Sequence, residues 1–186
     1  MANDLTIYNS VKDRMGTGDG LGFLNVGAVS DFIAWWTRKD VDPKNQIRLS
    51  HFGGIVRAGL YEGKDERRFT MEAMSIGFYP DMLSKYIINY PGHIYWYQLK
   101  PEWDPYRNEI GCQILSMIGT KYDWLGVAKQ LIMKVSESAR RLWCSEAWEI
   151  GLQNVAPKLC ADVKGIGLSP SGMWKLGTYK DPVKLI

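Results

Sequence analysis

Histidine is scarce in this chain, with two residues among 186, and cysteine is little commoner, with three. Cys112, Cys144 and Cys160 form no C-x-x-C pair, and with only His51 and His93 beside them they argue against a zinc site. The odd cysteine count argues against a disulfide framework and for a reducing compartment with at least one reactive thiol. No apolar run approaches the roughly 18 residues of a membrane span. The segment Met1 to Ser10 carries Asp4 where a cleavable signal peptide would have its basic and then apolar parts. A cytoplasmic protein, or one released by another route, is therefore expected. An excess of one charge is also lacking: 23 Lys and Arg are interspersed with 20 Asp and Glu, for a formal net charge of +3. Without a basic tract, nucleic acid is not the expected partner.

What is present is apolar residue in quantity, 46% of the chain with 12% aromatic, enough to build a core. No repeat, low-complexity tract or linker divides the chain, so residues 1–186 are read as one domain. The pattern predicts a turn-rich opening over Val11 to Gly22, then a helix over Val26 to Thr37 ending in Trp35 and Trp36. Strands are predicted over Ile47 to Ala58 and Phe69 to Met74, joined by a polar loop from Gly59 to Arg68. A short helix over Asp81 to Tyr90, stopped by Pro91-Gly92, precedes the aromatic strand His93 to Leu99. Glu102 to Ile118 reads as a helix closed by Gly119. An apolar segment from Leu125 to Val135 precedes a last helix from Cys144 to about Asn154, with Pro157 beyond it. Helix, then strands, then helices is the order of an α+β domain, with an antiparallel sheet on which one helix carries Cys144. Trp35, Trp36, Trp96, Trp143 and Trp148 are expected in the core or a pocket wall.

The chemistry converges on Cys144. A thiol at a helix start meets unpaired backbone N–H groups and the positive end of the helix dipole, and Arg140 and Arg141 precede it; both effects favour the thiolate. The two arginines are equally readable as a solvated face. Cys112 and Cys160 have no such setting and read as small apolar residues. A thiolate nucleophile needs a base and a group to orient it. His51 and His93 both stand at strand starts, and sequence geometry does not choose between them. If residues 51–58 pair with 69–74 as a hairpin, Glu72 falls opposite Gly53 or Gly54, near His51, provided the register puts both on one face. Gly53 and Gly54 would leave room for a substrate or for the helix bearing Cys144.

Five short motifs occur here in one order: Gly18-Asp19-Gly20 before a helix, Ser50-His51-Phe52-Gly53-Gly54, Met71-Glu72-Ala73, Gly119-Thr120-Lys121-Tyr122-Asp123-Trp124, and Trp143-Cys144-Ser145-Glu146. The set, spanning about Gly16 to Gly172, resembles the circularly permuted NlpC-type papain-like cysteine amidases (YiiX/YaeF-like). Papain-like enzymes place the cysteine first, whereas here His51 precedes Cys144, the reversal that permutation produces.

The resemblance implies a permuted papain-like fold, a small antiparallel sheet packed against the cysteine helix. It also implies a Cys144, His51, Glu72 triad. Tyr122 would be an oxyanion or substrate contact, Asp19 would have a turn or site-wall role, and Trp143 would belong to the site wall. The family pattern continues into Leu-Val after the glutamate, whereas Ala147-Trp148 follows here, so substrate class does not transfer. The expected function is cleavage of an acyl bond, first an amide in a peptide or peptidoglycan stem. An acyl ester or lipid, by hydrolysis or acyl transfer, is the second reading, and a non-catalytic papain-like module the third. The chemistry requires no metal or cofactor.

Overall fold

Glycine alternates with larger residues in Gly20-Leu21-Gly22-Phe23-Leu24, and this run is an inner strand of the sheet. The computed structural model describes residues 2–59, 66–74, 77–119, 144–161 and 168–186. Six strands are β1 (Gly20–Leu24), β2 (His51–Gly59), β3 (Glu66–Met74), β4 (Gly77–Met82), β5 (His93–Tyr97) and β6 (Val183–Lys184). They form one antiparallel sheet in the order β4-β3-β2-β1-β5-β6. Among the described residues five α-helices accompany it: α1 (Thr6–Val11), α2 (Ala28–Trp36), α3 (Leu83–Asn89), α4 (Arg107–Leu115) and α5 (Cys144–Val155). The domain is α+β, as the element order predicts.

Period-2 alternation divides the sheet residues between two cores. Leu21, Phe23 and Ile55 join Tyr8 and Val11 of α1 and Leu83 and Ile87 of α3 on one face. Phe52, Val56 and Met71 join Ile110 and Ile114 of α4 and Trp148 and Leu152 of α5 on the other. The glycines of β1 belong to the second face. A Cβ on Gly20 would lie 2.5 Å from the Phe52 ring, and one on Gly22 would lie 2.7 Å from Leu49. Their bareness is what lets large side chains lie across the strand.

Several boundaries differ from the sequence expectation. The end of the Val11 to Gly22 opening is strand, because tertiary packing outweighs the low strand propensity of glycine. Glu66 to Arg68 extends β3 into the expected loop, and Asp81 and Met82 belong to β4, so the following helix begins at Leu83. The expected helix from Glu102 begins as a 3₁₀ turn over Pro101–Tyr106, with Pro105 inside it, and is α-helical only from Arg107 to Leu115. Proline lacks the N–H that the ladder requires there. Trp96 and Trp148 are buried as expected, but Trp35 and Trp36 are 52% and 47% exposed and belong to no core. The segment Leu125 to Val135 lies outside the described residues. Among the described residues, no helix is long and apolar enough to cross a membrane.

Candidate active site

The hairpin of β2 and β3 brings His51 and Glu72 together. Gly54 pairs with Met71, so Glu72 falls opposite Gly53, and a Cβ on Gly53 would lie 2.7 Å from Glu72 Cγ. His51 is two residues before Gly53 and shares its face. Its Nε2 lies 2.9 Å from Glu72 Oε2, with the imidazole 21% exposed and the carboxylate 3%. His93 is exposed at the start of β5, three strands from β3 in the sheet order. The carboxylate therefore goes to His51.

Glu72 is a buried acid, and such a group is tolerated only with donors around it. Thr70 Oγ1 donates to Oε1 at 2.6 Å, and Tyr86 OH donates to Oε2 at 3.0 Å. Burial, and then the charge of Glu72, raises the Tyr86 pKa far above its ordinary value, so the phenol stays a donor. Because an ionised carboxylate can only accept, the histidine nitrogen facing it carries hydrogen. In the neutral form of His51 the lone pair is then on Nδ1. The ring is steadied by Phe23, 5.4 Å away between centroids. Ser50, the residue before it, is pinned to β1: its N–H donates to Phe23 O at 2.8 Å, and its Oγ accepts from Asn25 N at 3.1 Å.

Sequence reading did not single out Thr70 or Tyr86. Thr70 was readable, since strand residues two apart share a face. Tyr86 was not, because only the return of α3 over the sheet brings it to Glu72.

Cys144 lies in α5 (Cys144–Val155), in the segment where a helix is expected. The helix packs on the sheet face opposite to that of His51. A Cβ on Gly54 would lie 2.5 Å from the Trp148 indole, whose Nε1 donates to Met71 O at 3.0 Å. The tryptophan that departs from the Leu-Val pattern is thus a sheet anchor buried under α5. Of the two glycines, Gly54 makes room for the helix and Gly53 for Glu72. The first turn of α5 is tied toward the head of β2. Ser145 Oγ donates to Leu168 O at 2.6 Å, and Leu168 N donates to Glu149 Oε2 at 2.8 Å. Three residues on, Ser171 Oγ accepts from Leu49 N at 2.9 Å and donates to Leu49 O at 3.2 Å, two residues before His51.

Asp19, expected in the site wall, is a buried structural tie. It lies at the far end of β1 from Phe23, the partner of His51. Oδ2 accepts from Gly16 N and Trp96 Nε1 at 2.9 and 2.8 Å, and Oδ1 from Leu99 N and Arg107 Nη1 at 3.0 and 2.8 Å. Burial works against the charge of Arg107, yet Asp19 and Asp104 hold its pKa above the ordinary value. Tyr122, Trp143, Arg140 and Arg141 lie outside the described residues.

The other two thiols differ. Cys112 is exposed, whereas Cys160 is partly covered. Burial, and then the nearby Glu149 carboxylate, pushes the Cys160 thiol up to about 11. A pocket lined by Leu49, Phe52, Tyr97, Met173 and Trp174 lies on the α5 side of the sheet, and neither His51 nor Glu72 lines it. No model of a known protein family matches the sequence, and no curated protein matches it either.

Proposed function

We propose that the protein is a cysteine hydrolase of the permuted papain-like, NlpC-type kind, acting on an acyl bond. The observation that carries this reading is the buried Glu72 carboxylate, supplied with donors by Thr70 and Tyr86 and bound to His51 Nε2 at the head of β2. A histidine so oriented is what a thiol nucleophile requires, and the helix that carries Cys144 packs on the same sheet. Since α5 and the His51 ring occupy opposite faces of the sheet, turnover requires the thiol to meet the imidazole around the end of the sheet.

In the reaction, His51 Nδ1 takes the Cys144 proton, and the thiolate attacks the carbonyl carbon. The helix-terminal N–H groups, with Tyr122 where the resemblance puts it, receive the oxyanion. The C–N bond breaks as His51 returns the proton to the leaving amine, giving a thioester. Water, deprotonated by His51, then releases the acid and restores the thiol. Glu72 fixes the tautomer and steadies the imidazolium. An amide in a peptide or peptidoglycan stem is the first substrate class; an acyl ester or lipid uses the same steps with an alcohol leaving group.

Site-resolved alkylation tests this. At about pH 6 an ordinary thiol is about 99% or more protonated, so only a thiol with lowered pKa reacts quickly with iodoacetamide. Cys144 should label faster than Cys112 and Cys160, and His51→Ala should abolish the difference while His93→Ala leaves it. Equal rates at the three thiols would remove the activated nucleophile. Mass spectrometry of Cys144 after incubation with cell-wall peptides or acyl lipids then names the bond. No acyl adduct from either class, despite fast alkylation, would leave the non-catalytic module as the better reading.

A further inference from the structure

Helix α2 is amphipathic in the reverse of the usual sense. It meets the protein through small residues: Ala34 is buried, and so is Thr37 just beyond the helix, whose Oγ1 lies 3.2 Å from Ser171 Oγ. Its aromatic residues face solvent. Phe32, Trp35 and Trp36 stand at spacings of one helix face and are 45%, 52% and 47% exposed. Their rings touch one another, with centroids 5.9 to 6.3 Å apart. Val26, just before the helix, is also exposed, and Trp174 shows part of its ring while its Nε1 donates to Asp40 O at 2.7 Å.

The charge beside these rings is positive. Arg38 and Lys39 are exposed just after the helix, beyond the buried Thr37. The Arg38 guanidinium lies 4.5 Å from the Trp35 ring centre. The nearest following acid, Asp40, is engaged by Lys175 at 2.7 Å and Ser169 at 2.9 Å. On the helix itself the one acid is Asp31, a turn or more before this cationic end.

We propose that α2 docks the protein on an anionic lipid surface, with Phe32, Trp35 and Trp36 in the headgroup and upper acyl region and Arg38 and Lys39 against lipid phosphates. Size selects the occupant. Half-exposed rings of this kind offer together roughly 300 Å², well short of the roughly 800 Å² per partner of a stable protein interface. A lipid interface needs no matching partner surface. It takes tryptophan rings at headgroup level and arginine or lysine beside them, the combination present here. Docking concerns binding alone and holds whichever bond Cys144 attacks.

The test is co-sedimentation of the full chain with phosphatidylcholine vesicles with and without phosphatidylserine, at low salt. The protein should pellet with the anionic vesicles and much less with the neutral ones. Replacing Phe32, Trp35 and Trp36 with Ser should weaken binding at least about tenfold, as should Arg38→Glu with Lys39→Glu. Brominated acyl chains should quench tryptophan fluorescence in the wild type and far less in the Ser variant. Near-UV circular dichroism checks that each variant is folded, and the charge variant carries the test if the Ser variant is not. No binding to anionic vesicles, equal binding to both vesicle types, or unchanged binding by a folded variant would overturn the proposal. So would a wild-type dimer that the Ser variant makes monomeric, since the patch would then belong to a second copy. Because no turnover is read, failure here is separate from failure of the Cys144 reading.

Discussion

Replacing Asp19 by Asn tests the account of the buried tie with almost no change of shape. Each carboxylate oxygen accepts two hydrogen bonds, from Gly16 and Trp96 on one side and from Leu99 and Arg107 on the other. An amide has one acceptor oxygen, so its NH2 must face two donors whichever way it turns. The variant therefore loses at least two bonds to a charged acceptor, worth about 1.5–3 kcal/mol each. It also removes the buried one of the two carboxylates that face Arg107, leaving the guanidinium with Asp104, and breaking a buried pair from one side costs up to about 3–5 kcal/mol. These overlap, so the expected loss is about 3–5 kcal/mol, read as a drop of about 6–20 °C in Tm for a chain of this length. In urea the midpoint should fall by about 2 M with the slope m unchanged. The matched control is Asp104→Asn, whose carboxylate also binds Arg107, at 2.8 Å, but is 60% exposed; it should cost less than about 1 kcal/mol. If Asp19→Asn cost no more than Asp104→Asn, the buried tie would not hold β1, β5 and α4 together as argued.

Gly54→Ala would put a methyl into the Trp148 indole, which its hydrogen bond to Met71 prevents from yielding, and should cost about 1–3 kcal/mol in urea unfolding. Tyr86→Phe removes one donor from Glu72 and should cost about 1–2 kcal/mol, while slowing Cys144 alkylation without abolishing it; an unchanged alkylation rate would detach Tyr86 from the His51 pair. Asp40 has its pKa lowered: burial opposes this, but the hydrogen bonds from Lys175 and Ser169 and the charge of Lys175 outweigh it. A depressed carboxylate pKa contributes stability above the unfolded value, near about pH 4, and loses it as pH falls through the folded value. Urea midpoints measured down an acid series should therefore fall less steeply in Asp40→Asn than in the wild type. Alkylation of Cys160 in a Cys112→Ser, Cys144→Ser background should stay slow at neutral pH and rise only as pH approaches about 11; fast labelling at pH 7 would contradict its burial beside Glu149.

What the sequence determined by itself was the local and the nearly local. Helix α5 was legible from its cysteine head, its apolar spacing and Pro157 beyond it. The pairing of His51 with Glu72 was legible because a hairpin joins them, and Glu72 lies opposite Gly53, one of the two partners its loop allows. Gly54 was readable as room for a helix. Tertiary structure decided the rest. It made a strand of Gly20 to Leu24, whose bare glycines have meaning only once Phe52 and Leu49 lie across them. It turned Asp19 from a site-wall candidate into a four-donor tie, because its donors come from turns, strands and a helix far apart in the chain. It brought Tyr86 over Glu72 and set the α5 helix on the face away from the His51 ring. It also put Trp35 and Trp36 in solvent. Periodicity says which residues share a helix face, but what that face meets depends on how the helix is docked, and α2 is docked through Ala34 and Thr37.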